Sequence, residues 1–432
     1  AAPPAGLRPC LRCRPETAPG TPAWNGTSAT VARAMDLIRQ GALDHGSVED
    51  LAARLGVGAR HLSRLFHQHI GATPKAIADN QRVLFAKKLI MDTDMPITQA
   101  ALAAGYGSLR RFNAAFRKGI GRTPTQLRRH RVQLPARFDS GFSCTLTLPY
   151  RPPYDWGRML AFFRERAISR VEWADDATYR RTIRLSTTRG ILALRHVRQG
   201  HALKLELHLT DNRELMTVVE RVRRMFDLDA NPQAIHQTLI RDPLLARRIA
   251  HLPGLRLPGS WDPFETMVRA VVGQQISVRG AVTQLGRIAR LAGPSLDGWN
   301  DPHLTRFFPY PDELVAADMG TIGMPGKRKE TLRQVSRQIL SGALQLESAG
   351  ELSRFIKTLT AIPGIGPWTA HYVAMRALGE PDAFPASDLG IMKALQDGND
   401  RPSLKQVAAR AEAWRPWRAY AAIYLWLGEE GK

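Results

Sequence analysis

The residues whose types and spacing could do chemistry concentrate in one stretch, Leu359 to Lys393. Within it, Pro363, Gly364, Ile365 and Gly366 form a Pro-Gly-Ile-Gly tetrapeptide. Two glycines two residues apart let the backbone turn tightly and expose successive amide N–H groups. Pro367 suits the first position of a new helix, where its missing N–H is not needed. A helix start with free amides and a positive dipole end attracts a phosphate oxygen. Asp388 follows 22 residues after Gly366, at the expected start of another helix. Trp368 and Tyr372 are four apart and share one helix face. A backbone grip on phosphate with a carboxylate downstream points to chemistry on a nucleic acid. Taken singly, each feature has an ordinary explanation. Pro-Gly-Ile-Gly can be a plain turn, Asp388 an N-cap whose task Ser387 could share, and the aromatic pair core. The combination, with the charge of the chain and the elements upstream, favours the functional reading.

The totals bound the class. A chain of 432 residues allows two to four domains and ample core. Its formal net charge is +22 and its pI about 10.7. That excess favours a polyanionic partner, nucleic acid first and an anionic membrane second. No apolar run approaches the roughly 20 residues of a membrane span. The N-terminal residues lack the charged and apolar regions of a signal peptide. Three cysteines, Cys10, Cys13 and Cys144, supply no disulfide framework. The expected setting is the cytoplasm of a bacterial-type cell, at the nucleoid. Ala1 in place of Met leaves room for residues upstream of it.

The positioning elements are legible along the chain. In residues 1–25, Cys10 and Cys13 form a C-x-x-C pair, half of a tetrahedral zinc site with no second pair nearby. Residues 26–131 repeat one helix-turn-helix logic twice. In each unit a small-residue helix (Leu51, Ala52, Leu55; Ala100, Ala101, Ala104) meets a turn glycine (Gly56; Gly105). A basic helix with an aromatic anchor follows (Arg64, Phe66; Arg111, Phe112). Such a second helix enters a major groove, and two units of matching layout disfavour a plain bundle with a solvated basic face. Residues 132–141 read as a linker. Residues 142–230 read as an α+β unit around an antiparallel sheet, clearest where Leu203, Leu205, Leu207 and Leu209 alternate with polar residues. Cys144 lies in a strand pattern there and reads as a small core residue rather than a nucleophile. Residues 231–432 read as all helical.

Three resemblances follow from quoted stretches. GYGSLRRFNAAFRKGIGRTP, from Gly105, closely resembles the arabinose-regulator (AraC-type) DNA-binding domain. This implies recognition helices near Arg60–His67 and Ser108–Arg117, with Arg60, His61, Arg64, Ser108, Arg110 and Arg111 facing DNA. LRPCLRCRPET, from Leu7, resembles the end of the zinc domain of adaptive-response methylated-DNA repair regulators. There an upstream cysteine pair completes the site. Zinc is therefore expected only if such a pair precedes Ala1, and Cys10 and Cys13 stand as a remnant. LPGLRLPGSWDPFETMVRAVVGQQIS, GMPGKRKETL, AIPGIGPWTAHYVAMRALG, DAFPASD and WRPWRAYAAIYLW, with PPYDW upstream, resemble the 3-methyladenine DNA glycosylase II (AlkA) family in order from about Leu148 to Trp426. That family belongs to the helix-hairpin-helix glycosylases. The implied architecture is multidomain: an all-α helix-turn-helix domain, an α+β antiparallel-sheet domain like the TATA-binding protein, and an all-α helix-hairpin-helix domain.

The resemblance implies that alkylated bases of the 3-methyladenine and 7-methylguanine type are flipped from duplex DNA and their N-glycosidic bond hydrolysed. A cationic base leaves readily, and the sugar left behind is oxocarbenium-like. Asp388 matches the catalytic aspartate, which stabilises that charge and orients water. At about 4 Å and an effective dielectric near 20 the attraction is about 4 kcal/mol, or roughly a thousandfold in rate. The positive end of a helix favours the ionised form. Trp368, Tyr372 and Trp426 match the base pocket, where stacking a cationic ring contributes up to about 2 kcal/mol. Pro363 to Gly366 match the phosphate grip, a place where a monovalent cation can also bind. Trp368 stands where strand-cutting relatives carry a lysine nucleophile, so a hydrolase without lyase activity is expected. No cysteine follows Cys144, which excludes a four-cysteine iron–sulfur cluster, and catalysis requires no cofactor. The wedge that fills the gap left by the flipped base falls on Gln275, with Gln274 or Ile276 contributing. The expected partner is alkylated duplex DNA, with promoter DNA in addition, bound by a monomer away from membranes. A second class stays open: a transcription regulator of the alkylation response whose glycosylase-like half senses damaged DNA.

Overall fold

The computed structural model describes residues 27–39, 41–44, 46–128, 141–346, 352–398 and 400–427. Cys10 and Cys13, the remnant in residues 1–25 and linker residues 132–140 lie outside the described residues. Two compact units emerge: 27–150 with 177–223, and 151–176 with 224–427. Residues 151–176 thus cluster with the C-terminal helices, although they lie in the middle of the α+β stretch 142–230.

The first unit opens with the two helix-turn-helix repeats. Helices Val48–Arg54 and Ala59–Ile70 are joined through Gly56 at φ +69, and Ile97–Ala103 and Leu109–Ile120 through Gly105 at φ +79. Both turns need the left-handed backbone that glycine adopts without strain. Ser47 and Asp50 cap the first repeat with a reciprocal capping box. Phe66, Phe112 and Phe116 are fully buried anchors. Between the repeats runs the long helix Pro74–Asp92, whose Arg82 donates to Asp44 Oδ1 (2.9 and 3.0 Å) and to Leu43 O (2.6 Å).

The strands are β1 (Phe142–Pro149), β2 (Glu172–Ala174), β3 (Thr178–Arg184), β4 (Arg189–Val197) and β5 (Ala202–Leu209), in the sheet order β1-β5-β4-β3-β2. β1, β4 and β3 join the sheet antiparallel, with Leu205 of β5 opposite Leu146 and Leu194. Leu203, Leu205, Leu207 and Leu209 are all fully buried, as the period of two requires. Cys144 is half-buried in β1, and burial pushes its thiol up to about 12. It therefore carries no thiolate at neutral pH.

The second unit is helical because its sequence repeatedly starts helices. Asn231, Asp242 and Asp262 each cap a helix whose first residue is proline. Helices Pro263–Val272 and Pro367–Leu378 pack against each other, and Met267, Val268, Val271, Val373 and Ala374 on them are fully buried in one core. Arg269 stands among two buried carboxylates. Its Nη2 donates to Glu172 and to Glu265 Oε1 (2.7 Å), and its Nη1 donates to Arg166 O (2.8 Å). Burial works against its charge, yet Glu172 and Glu265 outweigh it and its pKa is raised.

Asp227 is a second buried ion. It sits at φ +51 and accepts from Leu257 N (3.0 Å) and Tyr420 Oη (3.0 Å). Burial pushes its pKa up to about 6, against the pull of Arg256. The folded value lies above the unfolded one, so its contribution is complete below about pH 4 and is lost as pH rises through 6. The difference amounts to about 3 kcal/mol. Thermal unfolding of wild type and Asp227→Asn between pH 4 and 7 tests this. Wild type should lose stability relative to the variant as pH rises, and a gap constant with pH would refute it.

Candidate active site

The hairpin comes from helices Leu352–Thr360 and Pro367–Leu378. Gly364 holds φ +90, and a Cβ there would lie 2.2 Å from Thr331 Oγ1. Only glycine fits that combination. Pro363 and Gly364 are exposed, whereas Ile365 is buried. The Ile365 amide donates to Ile362 O (3.0 Å), so within the tetrapeptide that N–H closes the turn instead of facing outward. Gly366 is the N-cap of helix Pro367–Leu378 and contributes no side-chain cap. Pro367 has no N–H and Ala370 N donates to Gly366 O (3.0 Å), so the Trp368 and Thr369 amides are the first-turn donors without an intrahelical acceptor.

Twenty residues beyond Trp368, Asp388 caps helix Leu389–Ala394, accepting from Ile391 N (3.0 Å). Ser387 does not take that role. Both remaining contacts of the carboxylate are indoles. Trp368 Nε1 donates to Oδ2 (2.7 Å) and Trp426 Nε1 donates to Oδ1 (2.8 Å). Trp368 in turn stacks on Tyr372 at 5.1 Å and 13°. All four residues are partly buried, as a site open to a ligand requires. Three elements distant in sequence thus converge on one carboxylate: the hairpin helix, the short helix after it and the helix Arg418–Leu427.

Two further residues complete the cluster. The Arg376 guanidinium lies over Phe162 (4.7 Å), Tyr372 (5.5 Å) and Trp426 (5.5 Å), and its Nη1 donates to Pro258 O (2.8 Å). Burial pushes its pKa down to about 10, which leaves it charged at neutral pH. A cavity of about 250 Å³ opens beside it, lined by Phe162, Arg166, Arg256, Arg376, Trp426 and Leu427 among others. The Trp426 ring is common to the cavity and to the carboxylate. Arg376 was not among the site residues read from the sequence, although its place four residues after Tyr372 on the same helix face was a signal that could have found it. Phe162 carried no such signal, because its contact with Arg376 is purely tertiary.

The three wedge candidates separate. Gln275, at φ +57, and Ile276 are exposed. Gln274 is turned inward, with its Nε2 donating to Gly364 O (2.9 Å) and Thr369 Oγ1 (3.1 Å). Its amide is already engaged, so Gln275 and Ile276 are the side chains available to a duplex. In the first unit, Arg60 and Arg64 are exposed on helix Ala59–Ile70, and Arg64 Nη2 lies 3.0 Å from His61 Nδ1. Arg110 and Arg111 are exposed on Leu109–Ile120, while Ser108 serves as that helix's N-cap. Among the described residues no cluster of three or more metal-binding side chains occurs, and no helix is long and apolar enough to cross a membrane.

His371 supports the site from the same helix. Its Nδ1 accepts from Phe384 N (3.2 Å), in the loop that leads to Asp388. Burial, reinforced by the Arg418 charge, pushes its pKa down to about 4. A depressed folded value means its contribution is present above about pH 6.5 and is lost as pH falls toward 4. Thermal midpoints of wild type should therefore drop across that window more steeply than those of His371→Gln, and parallel curves would contradict the assignment.

Comparison with known proteins shows the family. The AlkA N-terminal domain family matches residues 145–262, and a helix-turn-helix domain family matches residues 51–130. A Mycobacterium tuberculosis protein described as "Probable bifunctional transcriptional activator/DNA repair enzyme AlkA" is 40% identical over 427 residues, covering 98% of this chain and 84% of its own. The Escherichia coli DNA-3-methyladenine glycosylase 2 is 36% identical over 286 residues, covering 66% of this chain and 97% of its own. The solved 3-methyladenine DNA glycosylase from Archaeoglobus fulgidus shares the fold, with a TM-score of 0.58 at 21% identity over 66% of this chain and 98% of its own. The chain belongs to the AlkA family of DNA-3-methyladenine glycosylases, in the form that carries a helix-turn-helix domain ahead of the enzyme.

Proposed function

We propose that this glycosylase takes alkylated, cationic purines out of duplex DNA and hydrolyses their N-glycosidic bond without cutting the strand. The observation that carries the reading is the pair of indole N–H groups from Trp368 and Trp426 on the two oxygens of Asp388. They orient the carboxylate, while one face of Trp368 packs on Tyr372 and Arg376 lies over the Trp426 ring. The Trp368–Tyr372 stack offers a cationic base an aromatic surface. As the C1′–N bond breaks, the base keeps the bonding pair and leaves neutral. The sugar becomes oxocarbenium-like, the fixed carboxylate faces that charge, and water adds at C1′ and releases a proton to solvent. With an indole and not an amine at position 368, no Schiff base forms there. The outward amides of the hairpin hold a phosphate, and Gln275 and Ile276 enter the gap left by the flipped base. No cofactor takes part. The protein works as a monomer in the cytoplasm, at the nucleoid.

Incubation of the full chain with duplex DNA carrying 7-methylguanine tests this. Free base should appear while the strand stays intact until alkali is added, and strand scission without alkali or no free base would overturn the proposal.

A second reading has its own observation, the exposed arginines on both second helices of the helix-turn-helix repeats. We propose that they also bind one promoter sequence. Footprinting by the full chain should show protection of that sequence over bulk DNA. Uniform, strongly salt-dependent coverage would instead mark the domain as a delivery module.

A further inference from the structure

Gln274 and Arg328 take part in a closed circuit of hydrogen bonds that the reaction chemistry does not explain. Arg328 lies in the first turn of helix Gly326–Leu340. Its Nη2 donates to Gln274 O (2.7 Å) and its Nη1 to Val272 O (3.4 Å). These carbonyls belong to the turn between helices Pro263–Val272 and Val278–Ala292. From that turn, Gln274 Nε2 donates to Gly364 O and Thr369 Oγ1 on the hairpin. The neighbouring hairpin carbonyl, Pro363 O, accepts from Thr331 Oγ1 (2.9 Å), one turn beyond Arg328 on its own helix. The path therefore runs from helix to turn, from turn to hairpin and from hairpin back to the same helix. At its outer edge stands Gln275, a non-glycine residue at φ +57, with Ile276 41% exposed beside it. Backbone of that kind persists where its surroundings over-determine it.

We propose that Gln274 and Arg328 form a clasp that fixes the exposed Gln275–Ile276 tip relative to the hairpin, so that the grip on backbone sets how far the tip enters the duplex. This rests on the reading of the hairpin and tip given above. The clasp residues are positioning residues, partly buried and bonded to main chain, and are assigned no contact with base or sugar. Charged donors to main-chain carbonyls are short and directional, which suits a fixed spacing. Arg328 bonds to the turn and Gln274 to the hairpin, so loss of either opens the same circuit.

The test uses the full chain with Gln274→Met, Arg328→Met and the double variant. Each is assayed for affinity to a duplex with an uncleavable base analogue, for 2-aminopurine fluorescence beside that analogue, for single-turnover base release and for thermal midpoint. Single variants should keep wild-type affinity yet lose about tenfold in flipping and release, the scale of one lost hydrogen bond. The double variant should match the singles, because groups acting as a unit are not additive. Thr369→Ser, which keeps the hydroxyl, should flip like wild type, whereas Thr369→Val should not. Full flipping by Gln274→Met, multiplied losses in the double variant, or losses that merely follow a lowered midpoint would each overturn the clasp. Absence of base release by wild type would refute the enzymatic reading separately, since the fluorescence signal does not require cleavage.

Discussion

Asp388→Asn should release alkylated base about a thousandfold more slowly than wild type in single turnover, with DNA affinity retained. The magnitude follows from removing one charge about 4 Å from the developing oxocarbenium, worth about 4 kcal/mol at an effective dielectric near 20. The substitution preserves shape and the Oδ1 acceptor that caps helix Leu389–Ala394. It does replace one carboxylate oxygen with an N–H donor, so one of the two indoles loses its acceptor. With Oδ1 kept, the indole affected is that of Trp368. Trp426→Phe removes the other indole donor without touching the charge and keeps a smaller aromatic ring beside the cavity. It should slow release by about tenfold or less, the scale of a single hydrogen bond. Comparable rates for Asp388→Asn and wild type would remove Asp388 from the chemistry. Equal losses in the two variants would make orientation, and not charge, the decisive contribution.

The largest loss of stability is expected at Arg269. Arg269→Met removes the guanidinium that pairs with both Glu172 and Glu265, whose side chains are 3% and 2% exposed. Breaking a buried pair in this way costs about 3–5 kcal/mol, because the remaining charges cannot recover their hydration. The main-chain Arg166 O also loses its donor. Denaturant unfolding should register the full loss. Adding Glu172→Leu and Glu265→Leu to the same chain should return most of it, since a well-packed apolar trio avoids the desolvation altogether. Unfolding of Arg269→Met within about 1 kcal/mol of wild type would show that the carboxylates relax or take up protons. The effect reaches the site through the chain itself. Arg269 lies in the last turn of the helix that leads to Gln274, and Arg166 lines the cavity beside Trp426.

Much of the fold was legible because its signals are local. Leu203 to Leu209 alternate, and each leucine is buried. Asp242 and Asp262 precede prolines, and helices begin there. Gly56 and Gly105 mark equivalent turns in two repeats. The site was legible in part for the same reason. Pro-Gly-Ile-Gly marks its own turn, and Trp368 and Tyr372 share a face of one helix at a spacing of four. Gln274, Gln275 and Ile276, in contrast, could not be told apart from their types alone. Three consecutive residues in a turn point in directions set by what the turn packs against, and the hairpin carbonyl that captures Gln274 lies 90 residues away in the chain.

By itself, the sequence determined the helix starts, the strand alternation, the paired helix-turn-helix units and the carboxylate at a helix N-cap. These depend on periods of 2 or 3.6 residues and on caps that span three or four positions. Tertiary structure alone decided that Trp368 and Trp426 both donate to Asp388, that Phe162 covers Arg376, and that Arg328 reaches the turn carrying Gln274. Such contacts join residues far apart in the chain, and their geometry follows from how whole helices pack, which no local period encodes.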